Sequence, residues 1–366
     1  MKRKYLWWVL IGLLAMVTAV SCKSTPPPPT EETPAPPVDQ SLGPPDQASL
    51  DALNAAAARA EAARKLTTDF GGNTAFPSDW QSADSLYTQA GQQKNTSTLK
   101  ATQESTARYN AAASAMEALR DKTLAQYYDN RQKELTAART AAVNAGAADL
   151  VPDYLLQADN TSASALAKYQ AKDYYAARDT STNALSMYTI LKSGLDAYKV
   201  REEISNRNFE VYDPQNIAAA DDLLRGAAQN YSANSLAAAK GQVDQAALRY
   251  NQALKTGWQS YAAEKGANAS TERQNALNLK ANVAVRQDFN SAQTIFSQAN
   301  TAFQAQRYED AAKLYDQSQS MFEVVAQVAL AKQQAAQAAL DRANQKMTES
   351  NETARSAEVI LEGGTK

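Results

Sequence analysis

The chain has no histidine and one cysteine, Cys22, among 366 residues. Without histidine it lacks the commonest general acid–base group and every Ser-His-Asp or Cys-His arrangement. One cysteine cannot form a disulfide within the chain, and no His or further Cys remains to build the usual zinc site. Glycine-rich phosphate loops, Gly-x-Ser-x-Gly and calcium loops of alternating acids are all missing. These gaps argue against an enzyme, and the sequence offers no catalytic, cofactor-binding or metal-binding residue. A basic excess is missing too. The net charge is −2, and such a surface has no field for nucleic-acid phosphates. Alternating strand patterns do not persist anywhere, which argues against a sheet.

What is present begins with a cationic run, Met1-Lys2-Arg3-Lys4, and an apolar run from Tyr5 to Val20. Small residues follow at Ala19-Val20-Ser21-Cys22. This is the grammar of a secretory signal peptide. An uncleaved membrane helix would need about 20 apolar residues, and only 16 separate Lys4 from Ser21. Ordinary cleavage after Ser21 would leave a free thiol at the new N-terminus. Removing Lys2, Arg3 and Lys4 takes the net charge from −2 to about −5.

The cut site resembles the lipobox of bacterial lipoproteins, with Ala19 where most have Leu. Relaxed boxes of this kind are similar to those of spirochaete lipoproteins. The resemblance implies cleavage before Cys22, lipid such as palmitate on its sulfur, and a mature N-terminus held at an inner or outer membrane. The body would then sit in the cell envelope, in the periplasm.

Nine of the twelve prolines lie between Pro26 and Pro45. This segment has too few apolar residues to order itself. Residues 22–46 therefore read as the lipidated Cys followed by a disordered Pro-rich tether, up to about 75 Å long when fully extended. Residues 1–21 are the signal peptide, and residues 47–366 the folded body.

That body is dominated by Ala, Gln, Leu, Asn and Tyr, with apolar residues at helical spacing. An all-α fold follows. The remaining prolines, Pro77, Pro152 and Pro214, each follow a loop-like stretch and mark helix starts. Six residues after each stands Ala83, Ala158 or Ala220, and Ala292 takes the same place after Arg286. Sixteen residues after those alanines come Leu99, Tyr174, Leu236 and Tyr308; thirty after come Ala113, Tyr188, Tyr250 and Phe322. The copies are separated by 75, 62 and 72 residues. Four hairpin cores are expected, at about 77–116, 152–191, 214–254 and 286–325, stacked as an irregular α-solenoid.

The stretch from Ala302 to Tyr315 resembles the centre of a tetratricopeptide repeat, in which Tyr308, Ala311 and Tyr315 would anchor the second helix. The second copy keeps Tyr174, Ala177 and Ala184, with Ser181 in the later aromatic slot. No copy has the terminal proline, and the period is about twice the 34 residues of that family. The whole resembles the Ala-rich, tetratricopeptide-like lipoproteins of spirochaetes, treponemes especially.

Two acidic pairs, Glu202-Glu203 and Asp221-Asp222, point about 100° apart on a helix and read as solvated faces. Of Tyr127-Tyr128 and Tyr174-Tyr175, at least one of each pair should be core. Trp80 and Trp258 read as packing anchors. The C-terminal arm from Tyr308 to Leu361 reads as one helix ending near Gly363-Gly364. It is a candidate for self-association, although alanine at its apolar positions favours packing within the molecule.

The expected function is a membrane-anchored helical-repeat scaffold that binds an envelope protein partner. Two alternatives stand beside it. One is an accessory to a periplasmic solute-binding protein or transporter, as some similar lipoproteins are. The other is a purely structural envelope protein. No residue of a partner-binding surface is legible.

Overall fold

The computed structural model describes residues 39–363. Cys22, the signal sequence and residues 22–38 of the expected tether lie outside the described residues. Among those described, all regular structure is helical. The order is α1 (Gln47–Asp69), α2 (Gly72–Ala75), α3 (Pro77–Gln92), α4 (Leu99–Ala145), α5 (Ala147–Leu150), α6 (Pro152–Gln170) and α7 (Tyr174–Asn206). A 3-10 turn (Phe209–Val211) precedes α8 (Pro214–Ser232), α9 (Leu236–Asn278), α10 (Ala281–Ala284), α11 (Arg286–Gln304) and α12 (Tyr308–Gly363).

Helix ends follow local chemistry. Pro77, Pro152 and Pro214 stand in the first turns of α3, α6 and α8, where a missing N–H costs nothing. Asp46, Asp173 and Asp213 cap α1, α7 and α8 by accepting a backbone N–H. The end of the expected tether is ordered. A 3-10 turn at Gln40–Leu42 is capped by Asp39, and the Gly43 carbonyl accepts the Leu99 N–H at 2.8 Å. Residues 39–46 thus depart from the disorder expected of them, because these backbone groups find partners.

Helices α1, α4, α7 and α9 are each ended by a residue in the left-handed region: Gly71, Gly146, Asn208 and Lys280. All four stand 12 residues before the marker alanines Ala83, Ala158, Ala220 and Ala292. After each comes a single helical turn whose first residue (Gly72, Ala147, Phe209 or Ala281) is buried. The stretches that read as loops are thus one-turn helices after a left-handed break. A second left-handed residue, Lys172, Asn234 or Gln306, turns α6 into α7, α8 into α9 and α11 into α12. At each of these the next N–H reaches back to a carbonyl five residues earlier, as in Asp173 to Lys168 at 3.0 Å. That is the Schellman closure of a helix end.

The chain divides into two compact units between Gln126 and Tyr127. In the first, α1, α3 and the start of α4 enclose Leu53, Ala60, Ala90, Tyr109 and Met116. In the second, Leu155, Met187, Tyr188 and Tyr231 fill one cluster, Phe209, Ile217 and Tyr250 the next, and Phe289 and Phe322 a third. Alanines with no exposed surface let the helix backbones approach closely, and the aromatics fill the space between. The expected intramolecular packing of the C-terminal arm holds only to about Leu330. Every residue from 331 to 362 is exposed, because no described element lies beyond α11 to cover it.

Candidate functional site

One polar link recurs four times at a fixed spacing. Arg64 meets Asp84 at 2.6 Å, Arg139 meets Asp159 at 2.8 Å, Arg201 meets Asp221 at 3.3 Å and Arg273 meets Gln293 at 2.5 Å. Each arginine stands 20 residues before its partner. It projects from the long helix that precedes the break, onto the helix that follows the break.

Two of the four add a tyrosine. The Tyr188 hydroxyl donates to Asp159 at 2.6 Å and the Tyr250 hydroxyl to Asp221 at 2.5 Å. Both tyrosines are fully buried. Burial, then the carboxylate beside each hydroxyl, raises their ionisation well above the usual tyrosine range. The Arg139 fork, binding both carboxylate oxygens, holds Asp159 below the usual carboxylate range. Asp221 is accordingly not a plainly solvated residue, as its pairing with Asp222 suggested, whereas Asp222 is exposed.

Beside these links the second unit carries an apolar cleft of about 300 Å³. Ile190, Leu191 and Tyr198 of α7 form one wall, Leu224 and Tyr231 of α8 another, and Leu150 of α5 the rim. The helical spacing of Leu191, Gly194, Leu195 and Tyr198 brings them to one face of α7, and Gly194 leaves the floor open. The cleft offers almost no hydrogen-bonding group. The Tyr231 hydroxyl is spent on the Tyr154 carbonyl at 2.9 Å. Burial, the first cause, also raises Tyr231 above the usual range. Leu150 and Tyr198 stay substantially exposed.

Tyr198 and Leu224 also line a neighbouring polar recess with Arg201, Glu202, Ser205 and Asp221. There the Arg201 guanidinium lies 3.1 Å from Glu210 and 3.3 Å from Asp221. The charged side chains lining the recess itself are Arg201, Glu202 and Asp221, two carboxylates to one cation that is already paired. The lining thus carries an excess of one negative charge, and the cleft beside it is apolar.

The other residues singled out in the sequence fall as follows. Tyr127, Tyr128 and Tyr174 are half-buried and Tyr175 is 37% exposed, so neither pair supplies a core residue. The reason is local: Tyr128 packs against Tyr169 with centroids 3.9 Å apart and donates to the Tyr174 carbonyl at 2.8 Å, at the edge of the fold. Trp80 and Trp258 are half-buried beside the cores, with the Arg207 guanidinium 4.2 Å from the Trp258 ring centroid. Ala311 and Tyr315 are buried; Tyr308 is half-buried and stacks edge-on against Phe303. Glu202 is exposed, as a solvated face implies, and lines the recess from its rim, whereas Glu203 is half-buried.

Sequence reasoning missed the four arginines and the whole cleft. The arginines were findable, since each stands 19 residues before a marker alanine. The cleft left no signal, because its walls come from positions that read as ordinary helix core. Among the described residues, no group of three or more His, Cys, Asp or Glu is placed to hold a metal ion. Nor is any described helix long and apolar enough to cross a membrane. No family model, curated protein or solved structure matches the chain.

Proposed function

We propose that this chain is a lipid-anchored scaffold of the cell envelope, built from tetratricopeptide-like hairpins stacked as an irregular α-solenoid, and that it binds another envelope protein. The observation that carries the reading is the apolar cleft joined to an anionic recess between α7 and α8. The fourfold arginine link and the repeated left-handed breaks support the solenoid part. The composition of residues 1–46 supports the anchor at Cys22 and the tether. On this reading the partner presents an apolar side chain next to a Lys or Arg. Burying one such apolar group in the cleft contributes about 1.5–3 kcal/mol.

Two measurements test the two halves. Labelled palmitate should enter the wild-type protein in cells and be lost from Cys22→Ala; equal labelling of both would remove the anchor. A photo-crosslinking residue at Leu150 should capture one envelope protein, and Gly194→Trp should abolish the capture by filling the cleft. Recovery of wall material alone, or capture indifferent to Gly194→Trp, would overturn the scaffold.

The size of the cleft supports a second reading, in which it holds a small apolar ligand for a solute-binding protein or transporter. A thermal-shift screen separates the two. A small molecule that raises the midpoint of the wild type but not of Gly194→Trp would favour the accessory role.

A further inference from the structure

We infer that the exposed end of α12, residues 336–361, pairs with the same stretch of a second copy of this chain as an antiparallel two-helix coil. Within the molecule, α12 packs through Phe322, Ala326 and Ala329, all buried. Continuing that face outward in alternating steps of four and three leads through Gln333 to a seam in which Ser350 is the one polar residue. Its first row is Leu340, Met347, Ala354 and Leu361. Its second row is Ala336, Ala343, Ser350 and Ala357. Eight positions at a mean period of 3.5 residues make nearly four heptads, enough for a coiled coil. Leu340 is 58%, Met347 64% and Leu361 75% exposed, so the seam is uncovered in the single chain.

The sizes in the two rows select the occupant. The first row holds all the large side chains, and the second only small ones. Parallel pairing sets large against large and small against small, so the helices would have to be wide apart and close together in alternate layers. Antiparallel pairing sets each row against the other. With a two-fold axis between residues 348 and 349, Leu340 meets Ala357 of the second copy and Met347 meets its Ser350. Ala354 then meets Ala343, and Leu361 meets Ala336, with no seam residue left over. A two-fold interface requires this property, that residue i meets j and j meets i. Binding to a foreign helix would not require the seam to be complementary to its own reversal. Along the flanks, Lys346 faces Thr353, Asn344 faces Asn351 and Gln337 faces Glu358, so no like charges meet. The paired stretch is about 38 Å long at 1.5 Å per residue.

The test is the mass of the full chain in solution, by light scattering or sedimentation, beside a Leu340→Glu/Met347→Glu variant. The wild type is expected to be a dimer and the variant a monomer. Their near-ultraviolet circular dichroism, which reads the packed aromatics of the body, should match, since both residues lie on the exposed arm, while only the wild type's unfolding midpoint should rise with protein concentration. Orientation is read by disulfide trapping against the parent chain. A mixture of Leu340→Cys and Ala357→Cys chains should cross-link, and Leu340→Cys alone should not. A monomer up to tens of micromolar, a dimer that survives the double substitution, or cross-linking of Leu340→Cys with itself would each overturn the inference. So would a monomer whose arm is found only on a different protein.

Discussion

The hydroxyl of Tyr188 donates to Asp159 across 2.6 Å, and 62 residues further along the chain Tyr250 donates to Asp221 across 2.5 Å. In both cases an arginine from the preceding long helix meets the same carboxylate. A buried hydroxyl, an acid and a guanidinium thus fasten three helices at one point.

Asp159 makes stability fall in acid. Its carboxyl titrates below the usual range because Arg139 holds the charged form. In the acid range the folded chain therefore binds fewer protons than the unfolded one. The contribution is complete above the unfolded value, about 4, and is lost as the pH falls through the lower folded value. Thermal unfolding from pH 6 to pH 3 should show a shallower decline in Asp159→Asn than in the wild type. Parallel declines would show that the link carries no free energy.

Removing the other end of the link has a different signature. Tyr188→Phe leaves the packing intact and deletes one buried hydrogen bond, which costs about 0.5–1.5 kcal/mol. Asp159→Ala instead strands the buried hydroxyl and should cost about 1–3 kcal/mol. Chemical denaturation of the two variants gives the order. Tyr188→Phe proving the more damaging would contradict the geometry.

At high pH the buried tyrosines set the limit. Tyr188, Tyr231 and Tyr250 all titrate above the usual range, burial being the first cause. A raised folded value means stability that is complete below about pH 10 and drains as the pH rises towards that value. Tyrosinate absorbance should therefore rise in two stages, the second coinciding with loss of helicity. A single smooth rise with the helices intact would contradict the burial.

Two helical glycines should respond with opposite signs. A Cβ at Gly257 would lie 2.4 Å from the buried Phe209 ring, so Gly257→Ala forces repacking and should cost about 1–3 kcal/mol. A Cβ at Gly194 would lie 3.8 Å from Val243, an ordinary contact. Gly194→Ala should then stabilise by about 0.5–1 kcal/mol through helix propensity. Unfolding midpoints of the pair read both signs in one experiment.

Gln306 has φ 58° without the freedom of glycine. A left-handed conformation costs an ordinary residue about 1–2 kcal/mol, partly offset by the greater unfolded freedom of glycine. Gln306→Gly should raise stability by about 0.5–1 kcal/mol, and Asn234→Gly by less, since Asn tolerates this region. Denaturation midpoints decide the order.

The helical class was legible because alanine and the 3.6-residue period act locally, and the prolines located the starts of α3, α6 and α8 for the same reason. The one-turn helices were not legible. Asn208 and Lys280 take the left-handed conformation without a glycine to announce it, and the packing of Phe209 and Ala281 holds them there. The tyrosine pairs were misjudged because adjacent helical positions fix only their relative angle, while burial depends on what lies opposite. The cleft depends on the space left where α7 passes α8, and Gly194 was silent until Val243 was placed beside it.

The helix α9 serves four cores in turn, the first through Ala239 and Val243 in the cluster around Tyr188. Tyr250 belongs to the cluster around Phe209, Ala262 to the one around Tyr315, and Ala276 to the one around Phe322. Its length is consequently quantised. One residue inserted between Tyr250 and Ala262 would swing everything downstream by about 100° and advance it by about 1.5 Å, presenting Ala276 to solvent in place of its core. Seven residues, nearly two whole turns, would restore the facing. Insertions and deletions in this protein are therefore rotations first and displacements second, and its long helices tolerate changes of length only in multiples close to a turn.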